Sequence, residues 1–279
     1  MPARNAAAVV GGQLAALSRQ DYGGSWEVVV VDNGSTDDTA AVVARWTDRL
    51  PDLRVVRHEP RGINGARNAG ARAANGELLV YCDADDVATT GWLAAMVRAS
   101  SKADLIGGYL DFTPLNSERV RMARSANPPD RLPIIMGFLP YAVGASMGVR
   151  TEVFQALGGF DESYTGGGGD DVEFSIRAQL MGCSVVFAPG AVMRYRLRER
   201  LWSLARQQMG YGRADAKLLR DFREHGLRAD GTTKALAHWL KLVWRAPAIA
   251  SPDRGRWVCH FAWRLGRLLG SAEQRVWCP

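Results

Sequence analysis

No uninterrupted apolar run in these 279 residues reaches the roughly 20 that a membrane-crossing helix needs, which argues against a helical span. The opening stretch, Met1-Pro2-Ala3-Arg4-Asn5, has neither the charged nor the apolar segment of a secretory leader. Cysteine is scarce. Cys82, Cys183, Cys259 and Cys278 show no paired spacing and no metal-binding pattern, which argues against a disulfide framework or a zinc site and for a reducing compartment. The four histidines, His58, His225, His238 and His260, are scattered, and none is placed as a convincing metal ligand. There is no internal repeat and no low-complexity tract. With 47% hydrophobic residues the chain can bury a sizeable core, enough for one large α/β domain plus an appended element. The expectation is a cytoplasmic protein without a nucleic-acid partner.

Acidic residues, by contrast, gather at strand ends. A short apolar run, Leu78 to Cys82, reads as a buried strand and stops abruptly at Asp83-Ala84-Asp85-Asp86. In open α/β sheets ligands sit at the carboxyl ends of strands. Three carboxylates crowded there repel one another unless something positive is held between them. A divalent cation with oxygen ligands, completed by substrate phosphates, is the simplest resolution. A solvated acidic turn that caps the next helix is the alternative, since Asp suits both places. Glu27 to Val31 is another β-branched run, and it ends in Asp32-Asn33-Gly34-Ser35-Thr36-Asp37. Further on, Gly158-Gly159-Phe160-Asp161-Glu162 leads into Gly166-Gly167-Gly168-Gly169-Asp170-Asp171. Four glycines form a flexible or tightly turned loop, which delivers two carboxylates to the first turn of a helix.

These segments in this order, together with Gly65-Ala66-Arg67-Asn68-Ala69-Gly70, resemble a family 2 glycosyltransferase over roughly residues 2–225. The resemblance implies a GT-A fold, a nucleotide-diphosphate sugar donor, Mg²⁺ or Mn²⁺, inversion at the anomeric carbon and a glycan or lipid-linked acceptor. It implies that Pro2, Arg4, Asn5, Asp32 and Asn33 line the nucleotide pocket, with Arg67 facing a carbonyl or phosphate. Asp83 would touch the ribose and share the metal site, and Asp85 would bind the metal, making Asp83-Ala84-Asp85 a DXD motif. Asp171 would be the general base and Asp170 its support. The family often has Asp-Asp at Asp32-Asn33, and often a histidine metal ligand where this chain has Tyr195. A haloacid-dehalogenase-type phosphatase, with Asp83 as nucleophile, and a catalytically silent binding module are the rival readings. The phosphatase lacks its lysine, since Lys102 falls too early.

The pattern predicts helices over 7–19, 38–49, 65–75, 91–101, 151–157 and 171–181. It predicts strands over 27–32, 53–57, 78–82, 104–112, 142–149 and 184–188, in a mostly parallel sheet flanked by helices. No strand is expected before Pro2. An open slot should therefore lie beside the strand that ends at Asp32. Residues 1–230 read as the catalytic domain and 231–279 as a basic, tryptophan-rich helical tail. The tail has eight Lys or Arg against two Asp or Glu, as large a net charge as the whole chain, and five of the nine tryptophans. Leu236, Trp239, Leu240 and Val243 share one helix face, opposite Lys234, His238, Lys241 and Arg245. After Pro247 and Pro252 the pattern returns, with Trp257, Phe261, Leu265, Leu268 and Leu269 opposite Arg256, His260, Arg264 and Arg267. Such helices lie along anionic membrane surfaces, here the inner face of the plasma membrane. The alternative is packing on the catalytic domain with the arginines in solvent.

Overall fold

The computed structural model describes residues 1–59, 62–124, 126–165, 168–246 and 253–279. Gly166 and Gly167 of the glycine run, and Pro247 and Pro252 of the tail, lie outside the described residues. The elements in chain order begin with β1 (Pro2–Ala3), α1 (Val10–Leu17), β2 (Val28–Asp32), α2 (Thr39–Ala44), β3 (Leu53–Arg57) and α3 (Ile63–Ala73). Next come β4 (Leu78–Cys82), β5 (Val87–Ala88), α4 (Trp92–Ser100), β6 (Leu105–Asp111), α5 (Glu118–Ala123), β7 (Ile134–Ile135) and β8 (Leu139–Pro140). The chain continues with β9 (Ser146–Arg150), α6 (Thr151–Ala156), α7 (Asp170–Leu180) and β10 (Val185–Arg194). Three helices close it: α8 (Leu201–Phe222), α9 (Thr232–Trp244) and α10 (Arg254–Gln274).

The architecture is α/β, sheets flanked by helices as expected, but the pairing is mixed rather than mostly parallel, because β9 and β5 join the second sheet antiparallel. β1, β2 and β3 are parallel, while β4, β9, β6, β10 and β5 form a second sheet. In that sheet β6 and β10 run parallel, and β9 enters antiparallel between β4 and β6. The inserted strand matters for the site. Because Cys82 pairs with Ser146, the turn before β9 lies beside the acidic residues that follow β4. The ends of β4, β6 and β10 share that rim. Leu14, Val30, Met96, Ile106 and Met193 fill the core on one side of the sheet, and Met147, Phe154, Phe160 and Phe174 fill it on the other.

One expectation needs correction: a strand does begin the chain. β1 is only two residues long, yet it pairs with the end of β2, Pro2 opposite Val31 and Ala3 opposite Asp32. The Met1 ammonium donates to the Val29 carbonyl at 2.9 Å, and burial lowers its pKa below the ordinary value. A cavity of about 650 Å³ is lined by Met1, Val29 of β2 and Leu78 to Tyr81 of β4. Four short elements, β5, α5, β7 and β8, carry no periodicity long enough to be read in advance. β10 runs past the predicted end at 188 to Arg194, through a register shift between Ala188 and Val192.

The tail is docked rather than separate. α10 lies against α8 at backbone distance: a Cβ on Gly212 would strike the Trp263 carbonyl, and one on Gly266 would strike that of Met209. Arg264 and Arg267, expected in solvent, are buried. Arg264 donates to the Pro279 carbonyl at 3.0 Å, and Arg267 lies 3.8 Å from Asp215 and 3.7 Å from Asp230. Gly266→Val should therefore push α10 off α8 and cost about 1–3 kcal/mol or more. Gly11→Ala, with open space around the new methyl, should be neutral or slightly stabilising. Urea midpoints of the two variants check this, and equal midpoints would refute the contact.

Candidate active site

A cleft of about 1200 Å³ runs along the rim. Its walls bring together Arg4, Asn33, Arg67, Asp83, Asp85, Asp170 and Asp171. Pro2, Asn5 and Asp32 do not line it. Pro2 is buried in β1. Asn5 accepts from Thr36 N at 2.8 Å, and Asp32 accepts from Ser35 N at 3.0 Å, so both shape the loop behind the cleft wall. Asn33 is buried and accepts from Gly62 N at 3.1 Å, which joins the end of β2 to the start of α3.

The acidic turn after β4 divides its work. Asp86 is buried and accepts from Arg196 N at 2.7 Å. Arg196 in turn donates through Nε to the Asp85 carbonyl at 2.9 Å. Asp86 therefore fixes the turn from behind, and Asp85 is left facing the cleft. Asp83 Oδ1 is buried with no hydrogen-bond partner. Burial, then the charges of Asp85 and Asp170, push its carboxyl above the usual range, against the pull of Arg67.

Arg67 is the cation between the motifs. Its side chain, 6% exposed, contacts Asp170 through Nη1 and lies 3.6 Å from Asp83 through Nη2. Its guanidinium sits 5.4 Å from the centre of the Phe160 ring. A Cβ at Gly144 would collide with it, so only glycine fits in the turn before β9. Both ion pairs of Arg67 go to carboxylates, the tighter one holding Asp170.

Asp171 differs. Its Oδ2 accepts from Gly144 N at 2.9 Å and its Oδ1 from Val172 N at 2.9 Å. Burial, then the neighbouring Asp170 charge, raise its pKa to about 6, which is close to working pH for a general base. The glycines before it serve contact as much as freedom. Gly169 has φ +82°, and side chains at Gly168 and Gly169 would strike Tyr211 and Ala214 of α8.

Several lining residues were not foreseen. Arg124 lies over the rings of Phe112, Tyr195 and Tyr211 at 5.4–5.6 Å, and its Nη1 has no hydrogen-bond partner. Tyr195 thus supports a cation where the family often has a metal ligand. Gln207 and Tyr211 of α8, Lys234 of α9, and Arg256, His260 and Trp263 of α10 form the far wall. Only a contact between distant segments marks them, and no local motif does.

Among the described residues no group of three or more His, Cys, Asp or Glu side chains could hold a metal by itself. The residues still fit one. An orphaned Asp83 oxygen beside Asp85 offers hard donors and excess negative charge, which suits a cation that keeps waters and is completed by phosphate oxygens.

With the geometry in place, the comparisons agree. The chain is similar in structure to a mannosyltransferase, PcManGT from Pyrobaculum calidifontis, in complex with GDP-Man and Mn²⁺ (TM-score 0.64, 22% identity, 96% of this chain and 85% of that one). It is also similar to TarS of S. aureus in complex with UDP (TM-score 0.55, 18% identity, 98% and 90%). The fold is thus that of the GT-A glycosyltransferases. The sequence profile of glycosyl transferase family 2 matches residues 1–158, and that of the N-terminal domain of galactosyltransferase matches 138–200. The chain belongs to glycosyl transferase family 2. The phosphatase reading is overturned.

Glycosyltransferase AglE of Haloferax volcanii is 29% identical over 67% of this chain and 62% of its own length. A validoxylamine A glucosyltransferase of Streptomyces hygroscopicus subsp. jinggangensis is 29% identical over 65% of this chain and 51% of its own length. The chain therefore spans about half to three-fifths of these curated relatives. A UDP-Glc:α-D-GlcNAc-diphosphoundecaprenol β-1,3-glucosyltransferase, WfgD of Escherichia coli, is 25% identical over 43% of this chain and 47% of its own length.

Removing the bridging cation should be costly. Arg67→Met leaves Asp83 and Asp170 facing each other in a buried site and should destabilise the fold by about 3–5 kcal/mol. Adding Asp170→Asn should restore part of that loss in a double-mutant cycle followed by thermal unfolding. Strict additivity of the two substitutions would show that Arg67 does not bridge them.

Proposed function

We propose that the protein transfers a sugar from a nucleoside-diphosphate donor to a hydroxyl of a glycan or lipid-linked acceptor. The transfer is a single displacement that inverts the anomeric carbon and uses Mg²⁺ or Mn²⁺. One observation carries this reading. The Asp83–Asp85 turn and a separate carboxylate poised near neutral pH, Asp171, line one cleft. The names of the similar proteins support donor and cofactor: GDP-Man with Mn²⁺ in one complex and UDP in another. The WfgD name, with its diphosphoundecaprenol acceptor, supports the lipid-linked alternative.

In this reading residues 1–230 hold the donor and the base, and residues 231–279 complete the acceptor wall. Arg4 and Asn33 line the nucleoside end, while Pro2, Asn5 and Asp32 hold the loop behind it. Asp83 and Asp85 would hold the divalent cation, which when bound would supply positive charge to the departing diphosphate. The acceptor oxygen bonds to the anomeric carbon as the bond from that carbon to phosphate breaks. The electron pair leaves with the nucleoside diphosphate, and the acceptor proton passes to Asp171. Arg67 keeps Asp170 paired, so the base is the one carboxylate of the pair with free capacity. Arg124, with Nη1 unpartnered, is a second cation available to the diphosphate. A lipid-linked acceptor places the reaction at the cytoplasmic face of the membrane.

Asp85→Ala should abolish transfer and remove any Mn²⁺-dependent thermal stabilisation by the donor. Near-normal turnover would sink the metal assignment. Asp171→Asn keeps the shape of the side chain but cannot accept a proton, so donor binding should survive while transfer falls about a hundredfold or more. Loss of donor binding would move Asp171 into the nucleotide site instead.

The same residue sets the pH dependence. Asp171 must be ionised to act, and its pKa is raised to about 6, so kcat/KM should fall as pH drops through about 6 and level off above it. A profile that stays flat down to the ordinary carboxylate range would exclude Asp171 as the base.

A further inference from the structure

Both tail helices turn their apolar faces outward. On α9, Leu236, Leu240, Val243 and Trp244 are exposed, from 59% for Leu236 to 79% for Trp244. On α10, Phe261 and Leu269 are exposed, and Leu265 and Leu268 are only half-buried. The cause is what occupies the inner side. Gly266 and Gly270 press against α8, and the arginines at 264 and 267 fill the remaining inward positions, tied to Pro279, Asp215 and Asp230. The inward side of α10 is thus taken by glycines and paired charges, so its larger apolar side chains face out.

The two exposed faces are one surface. α9 and α10 lie side by side, with Trp257 Nε1 donating to the Leu242 carbonyl at 2.9 Å. The Trp239 ring meets Phe261 edge-on at 5.8 Å, and Phe261 stacks on Trp257 at 5.1 Å. This aromatic seam joins the leucines of α9 to those of α10. Lys241 and Arg245 on α9 and Arg254 on α10 are exposed beside the apolar side chains. Contiguous exposed apolar surface with a charged rim marks an interaction site.

We propose that this α9–α10 face docks on an anionic lipid bilayer, lying along it without crossing. Charge selects the partner. Residues 231–279 carry a net +6. Arg264 and Arg267 are buried against α8 and Asp230, while Lys241, Arg245 and Arg254 stay exposed and flank the apolar face with positive charge. Tryptophans beside leucines, with cations flanking them, suit the boundary between headgroups and acyl chains. No helix among the described residues is long and apolar enough to span. The same two helices contribute Lys234, Arg256 and Trp263 to the cleft wall, so docking would bring the cleft close to the bilayer. The benefit of that placement rests on the proposed lipid-linked acceptor, whereas the docking itself does not.

The test uses the full chain and sedimentation with vesicles of phosphatidylcholine, alone or mixed two to one with phosphatidylglycerol. The protein should pellet with the anionic vesicles and be released by high salt. Leu240→Glu with Val243→Glu, and separately Lys241→Glu with Arg245→Glu, should each weaken binding about tenfold or more. These side chains are exposed, so donor hydrolysis without lipid should stay unchanged. Equal pelleting of variants and parent, or no pelleting of the parent with either vesicle, overturns the proposal. So does self-association of the lipid-free parent that Leu240→Glu with Val243→Glu abolishes, which would make the face an interface between copies. Failure of the proposed glycosyl transfer would show separately, as a parent protein that turns over no donor whether or not vesicles are present.

Discussion

The site depends on one buried guanidinium. Arg67 lies on α3, Asp83 follows β4, and Asp170 opens α7 after the glycine loop, so three separate stretches of chain meet at one side chain. Unpaired, the two carboxylates would either repel or take up protons, since a charge in a poorly solvated site is expensive. Paired, they hold the acidic turn after β4 and the start of α7 at a set separation. The Gly144 turn is shaped by the same group, because it must pass close to the guanidinium while its amide holds Asp171. A single cation thus sets the position of the carboxylates around it.

The α8–α10 contact supports that arrangement from the other side. Gly168 and Gly169 lie against Tyr211 and Ala214 of α8, so the loop before Asp171 rests on the helix that receives the tail. Inside, Asp215 has its pKa raised to about 6 by burial, opposed by Arg267, Trp263 and Arg264. The buried arginines are the cost of docking a basic helix, and their partners on α8 and at Asp230 fix its rotation.

Much of this was legible in sequence for a physical reason. Leu53–Arg57 and Leu78–Cys82 are strands with the predicted bounds, because β-branched and apolar runs ended by polar turns leave few alternatives. The order of acidic motifs showed which residues share the rim. The rest depends on non-local contact. Two residues of β1 carry no periodicity, yet pairing with β2 makes them a strand. The tail periodicity defined two faces per helix without saying which was inside. That choice was made by Asp215, Asp230 and two close-packed glycines, so Arg264 and Arg267 turned in. Arg124 had no motif at all, since its setting is three rings from three separate segments.

The cleft has two walls drawn from different stretches of the chain. The family profiles end at residue 200, and they include the acidic turn, the bridging arginine and Asp171. Gln207, Tyr211, Lys234, Arg256 and Trp263 lie beyond that point and form the opposite wall. The family profiles therefore describe one wall of the cleft and not the other. Membership of the family thus leaves the shape and charge of half the cleft undetermined, because that half is set by how α8, α9 and α10 pack on one another.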